Sequence, residues 1–162
     1  MNPETVLAAI ISVGAAFIGF TGVIFAVGRF SQGQWTPAER NALLHLLLPS
    51  TVALFLAFVP MVAMTGAVDT AAVWRVSNGL LAAIHAPLVS RALWLAIRSE
   101  LAEPLPLRFV LIPLGFASVL ASTLVTFGLL QDYATAAFTG GLVIFLLVAA
   151  VQFVILVIPD VN

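Results

Sequence analysis

The sequence predicts an all-α integral membrane protein, a bundle of five transmembrane helices, and three observations carry that reading. Of 162 residues, 62% are hydrophobic and 8% charged. A soluble domain carries roughly 45–50% and about 25% respectively, so this chain cannot clothe itself in a water-compatible surface. The apolar residues gather into five stretches: Thr5 to Gly28, Ala42 to Gly66, Ala71 to Ile97, Arg108 to Leu130, and Ala134 to Ile158. Each holds roughly 23 to 27 residues, enough at 1.5 Å rise per residue to cross about 30 Å of hydrocarbon. The connections are too short to hold an extramembrane domain, so residues 1–162 read as a single transmembrane domain, with helices at about 5–28, 37–66, 71–98, 108–130 and 134–158.

The first helix has the clearest pattern. Thr5, Ala8, Ser12, Ala15, Gly19, Gly22 and Ala26 alternate at spacings of three and four, which lines one face with small residues, while Val6, Ile10, Val13, Phe17, Phe20, Ile24 and Val27 fill the opposite face. In lipid, small residues let helix backbones approach closely, so the small face predicts a packing seam, either within the chain or between subunits. The simpler expectation is packing within the chain. A signal peptide fits less well, because the neighbouring charge is Glu4 rather than a cation and the apolar run is too long.

The second helix has an explicit start in Thr36-Pro37-Ala38-Glu39, a capping hydroxyl, a first-turn proline and a glutamate. Pro49 and Pro60 should each bend it or release a backbone carbonyl. The third stretch contains Arg75, Asn78, His85 and Arg91, and its competitor is an interfacial helix, which would leave four transmembrane helices. Trp74 and Trp94 decide for spanning: twenty residues apart, they are separated by about 30 Å along a helix, the distance between two interfacial aromatic belts. A stripe of Ala71, Arg75, Asn78, Ala82, His85, Val89, Ala92 and Ala96 then puts Arg75, Asn78 and His85 on one inward face. The fourth helix carries Ser118, Ser122 and Thr126 four residues apart, and the fifth carries Gly140-Gly141 and Gln152.

All six cations are Arg, and the formal net charge is −1. Five crossings put Arg29, Arg40, Arg91, Arg98 and Arg108 on one side and only Arg75 on the other, so the positive-inside bias predicts an external N-terminus and a cytoplasmic C-terminus in a bacterial inner membrane. Those five arginines are also candidate contacts for anionic lipid headgroups. The charge balance offers no field for nucleic acid. Zero Cys removes disulfides, thiolate metal sites and a Cys nucleophile.

The absence of a carboxylate at midmembrane depth disfavours cation-coupled transport. No Gly-x-Ser-x-Gly, His-Glu-x-x-His or Gly-rich phosphate loop occurs, so no catalytic residue and no metal site is assigned. The only imidazoles are His45 and His85, and an offset of about 8 Å in depth disfavours a haem ligated by both, so no cofactor is expected. The leading functional expectation is a homo-oligomeric channel or permeation protein for anions or small neutral solutes. Its pathway would be lined by Arg75, Asn78 and His85 with Ser118, Ser122 and Thr126, and its seam would be Ala8, Ser12, Ala15, Gly19, Gly22 and Ala26. The alternatives are an accessory or scaffold subunit of a larger membrane complex, and a membrane-embedded enzyme or lipid-binding protein drawing on the arginines with Glu100 and Glu103.

Overall fold

The computed structural model describes residues 2–31, 37–66, 68–98 and 105–157. It contains five long helices: α1 (Pro3–Ser31), α2 (Pro37–Ala63), α3 (Thr70–Ile97), α4 (Leu105–Thr126) and α5 (Ala134–Val157). All five are long and apolar enough to cross a membrane. The third stretch is a 28-residue helix built into the bundle, not a short surface helix. The side chains of Arg29 and Arg108, together with Trp35, Thr36, Glu100 and Glu103, lie outside the described residues.

α2 begins at Pro37, where proline's missing N–H costs nothing and its φ is already helical. It continues through Pro49 and Pro60, both turned into the bundle. Asp69 caps α3 by accepting from the backbone N–H groups of Ala71 and Ala72. α4 stops at Thr126, four residues before the apolar stretch ends. Gly128 adopts φ 85°, its N–H reaches the carbonyl of Val125, and the N–H of Leu129 reaches that of Leu124, both at 2.9 Å. This is the Schellman arrangement, which only a residue at ease with positive φ closes without strain. A single 3₁₀ turn, Gln131–Tyr133, then leads into α5.

α5 is the central helix and touches all four others, with the α1–α2 hairpin on one side and the α3–α4 hairpin on the other. Helices meet closely where a side chain is missing. A Cβ on Gly14 would lie 3.2 Å from both the Leu54 Cβ and the Ser50 carbonyl, so α1 and α2 pack with backbones nearly touching. A Cβ on Gly141 would come within 2.7 Å of the Ser118 hydroxyl and still closer to Leu81, which seats α5 against α3 and α4. Phe153 on α5 receives the rings of Phe17 and Phe20 at centroid separations of 6.2 and 5.5 Å, joining α1 to α5.

The inward face of α1 is therefore Leu7, Ile10, Gly14 and Thr21, with Phe17 half-buried. This corrects the simpler expectation for the small-residue stripe. Ala8, Ser12, Ala15, Gly19, Gly22 and Ala26 are all exposed, and nothing lies within 4 Å of a Cβ built on Gly19 or Gly22. The reason is geometric: α2 offers Ser50 and Leu54, which fit against the single gap at Gly14 and leave the regular stripe on nearly the opposite side of the helix, about 150° away. Large apolar side chains also point outward around the bundle, among them Phe20, Phe55, Phe109 and Leu120.

These two classes of glycine predict opposite sensitivities. Gly14→Ala should lower the unfolding free energy in detergent by about 1–3 kcal/mol through overpacking. Gly19→Ala should change it by no more than about 0.5 kcal/mol. Denaturant titration followed by circular dichroism measures both, and equal effects would mean that α1 is turned differently.

Candidate functional site

The sequence-predicted polar residues fall into three settings. Asn78 is fully buried, and its side-chain amide donates to the Trp74 carbonyl on its own helix at 2.9 Å and to the Ala134 carbonyl at the head of α5 at 3.1 Å. It ties α3 to α5. His85 lies two turns further along the same face, 4% exposed, with its Nδ1 3.3 Å from the Ser118 hydroxyl of α4 and its ring tilted over Phe145 of α5 at 4.4 Å. One imidazole thus engages three helices.

Ser118 and Ser122 are buried, whereas Thr126 is half-buried and donates to the Ser122 carbonyl at 2.8 Å. The register is antiparallel: Gly79 lies against Thr126, His85 against Ser118, and Val89 against Gly115. Three buried polar atoms, Ser77 Oγ, Asn78 Oδ1 and Ser122 Oγ, have no hydrogen-bond partner among the described residues. An unsatisfied buried hydroxyl or amide costs about 1–3 kcal/mol, so this line through α3 and α4 is a place where polar contacts are still wanted. Periodicity brought out Asn78 and His85 but missed Ser77, which sits off the eight-residue stripe.

Arg75 does not join this interior group. It is exposed, and its guanidinium reaches over the end of α4, within 3.5 Å of where a Gly128 Cβ would stand. A cation there complements the partial negative charge of the α4 C-terminus. Trp74 is turned inward, 6% exposed, with its ring edge-on to Phe138 at 5.9 Å. Twenty residues are about five and a half turns, which puts Trp74 and Trp94 on opposite faces of α3, so Trp74 is a core residue and not a ring of an outer belt. Trp94 is half-exposed and carries the Arg98 guanidinium 3.9 Å above its ring, a cation–π pair. Arg40 and Arg91 are exposed.

Comparison with family models, curated proteins and solved structures finds no match to this chain.

A cavity of about 180 Å³ opens between α2, α3, α4 and α5, in the half of the bundle nearer Arg91 and Arg98. His45 and His85 both border it, although about 8 Å of depth separates them. Gln152 is buried on the far reach of α5.

If the Asn78 amide bridges α3 and α5, Asn78→Ala should destabilise the solubilised bundle by roughly 1–2 kcal/mol. The same denaturant titration measures the loss, and wild-type stability in that variant would remove Asn78 as a structural tie.

Proposed function

We propose that the chain is an integral membrane protein of five crossings that works as a subunit of a membrane assembly, joined through the small-residue face of α1 to a second copy of itself. The observation that carries this is the open stripe from Thr5 to Ala26, bare at Gly19 and Gly22 in a helix that already packs by its other side. The stripe extends for about 30 Å at helical rise, the thickness of the hydrocarbon core. Its one hydroxyl beside Thr5, Ser12, already donates to the Ala8 carbonyl at 2.9 Å and asks nothing of a partner. A two-fold pairing would set each copy's glycines against the other's, the self-complementary contact of most dimers.

Membrane insertion is supported by the outward-facing Phe20, Phe55, Phe109 and Leu120, a surface that water would not tolerate. The arginine bias supports a cytoplasmic C-terminus, and a helical bundle rather than a barrel suits a bacterial inner membrane. The exposed Arg40, Arg91 and Arg98 then lie at the level of anionic headgroups.

Because the chain has no cysteine, Gly22→Cys introduces a single thiol. Oxidation in native membranes should convert it to a species of twice the 17.1 kDa chain mass. Gly19→Leu with Gly22→Leu should leave the fold intact and the detergent particle monomeric. A wild-type particle of one chain that loses a co-purifying foreign protein in this variant would assign the face to another partner. A particle unchanged in mass and composition would end the reading.

A second reading, permeation of small neutral solutes or anions, is favoured by one observation: Ser77 Oγ, Asn78 Oδ1 and Ser122 Oγ, unpartnered in the interior, continue toward Ser118 and His85. Such a line would run inside each subunit rather than along a symmetry axis. His85→Leu should then lower solute flux into proteoliposomes several-fold, and unchanged flux from a folded variant would count against it.

A further inference from the structure

We infer that the cavity between α2, α3, α4 and α5 is a binding site for a ring-sized, lipid-soluble molecule bearing hydrogen-bond-accepting oxygens, of the quinone type. The inference is independent of what covers α1. Size is the first argument. An apolar cavity of about 150 Å³ suffices for a benzene-sized ring, and this one measures about 180 Å³. That volume takes one substituted ring and falls far short of a two-chain lipid. Its walls are almost wholly apolar, contributed by residues such as Leu88, Leu111, Ile144 and Val148, the lining expected where a ligand partitions from the lipid phase.

The second argument is a donor aimed into it. Ser12, Thr21, Ser50, Thr123, Thr126 and Thr139 each donate to a carbonyl one turn back on their own helix. Ser118 instead meets His85 Nδ1 at 3.3 Å. With the Ser118 hydroxyl as the donor to Nδ1, which is the direction this proposal takes, His85 is the neutral tautomer that carries its proton on Nε2. Nε2 looks across Gly115, where a Cβ would stand 3.6 Å from it and clash with Val89 at 2.7 Å. The missing side chain of Gly115 thus leaves the Nε2–H edge open to the cavity. With His85 4% exposed, an acceptor oxygen in the cavity is the partner that satisfies this N–H.

The third argument is the placement of polar groups at both ends of an apolar slot. His85 stands at the deep end, six residues, or about 9 Å of helix, from Arg91 on the same element. Arg91 and His45 border the cavity nearer the arginine-rich end. A ring with carbonyl oxygens on opposite edges satisfies both ends, whereas a fatty-acid chain would set its methyl end against the His85 N–H.

The test uses the full-length protein in detergent with two probes of matched tail, a decyl-substituted benzoquinone and decylbenzene, their affinities read from displacement of thermal unfolding and from tryptophan quenching. The quinone should bind at least tenfold more tightly than the hydrocarbon. His85→Phe, which keeps the ring over Phe145 but removes the donor, should weaken the quinone about five- to tenfold and leave decylbenzene unchanged. Ala92→Trp, which fills the slot, should abolish both. Equal affinity for the two probes, or no binding of either, would overturn the assignment. So would tight binding of decanoate that depends on Arg91 and not on His85, because the occupant would then be an anionic acyl chain. Should His85→Phe fail to fold, the comparison of quinone with hydrocarbon on the unaltered protein still decides.

Discussion

Close approach at missing side chains is the constraint on which the rest of this bundle depends. Where apolar atoms face both inward and outward, the hydrophobic effect gives little preference for one helix face over another, and van der Waals contact has to choose. Gly14 admits α2 to the α1 backbone, and Gly141 admits Leu81 and Ser118 to the backbone of α5. Once those contacts form, the azimuth of each helix is set. Everything polar follows from that rotation: Asn78 is brought to the head of α5, and His85 is brought between Ser118 and Phe145.

Several polar side chains lie in the interior, beneath a surface rich in large apolar ones. Thr21 and Ser50 are buried and donate to their own helices, while Asn78 and His85 bond across to neighbouring helices. A polar atom turned toward hydrocarbon would have no partner at all, so such groups collect at helix junctions. At the rim the logic changes. Asp69 caps α3 and Arg75 covers the carbonyl end of α4, each placing its charge where a helix terminus offers the opposite partial charge.

Helix number and approximate limits were legible because they depend on apolar run length, and the Pro37 start was legible because proline favours a first turn. The end of α4 was not read correctly, since the apolar run continues past Gly128 while the backbone turns there. Asn78 and His85 could be placed inside by polarity alone. Trp74 shows the limit of matching depth alone: its twenty-residue spacing to Trp94 fits two belts, yet about five and a half turns put the two rings on opposite faces, so only one can look outward. For α1 the regular small stripe drew attention away from Gly14, whose importance appears only when Ser50 and Leu54 are set opposite. The cavity was illegible for a similar reason: four separate helices border it, and the His85 ring is met by a serine 33 residues away.

The orientation of α1 is the most consequential feature, since it decides which face packs within the chain and which remains available. Gly14→Cys combined with Leu54→Cys tests it directly. The built Cβ of residue 14 lies 3.2 Å from that of Leu54, close to the separation of about 3.5–4.5 Å found in disulfides. Oxidation of the double variant in membranes should close a bond within one chain, visible as the loss of both free thiols at unchanged monomer mass. Persistence of two free thiols, or closure only between chains, would contradict the packing of α1 on α2 and with it the exposure of the opposite face.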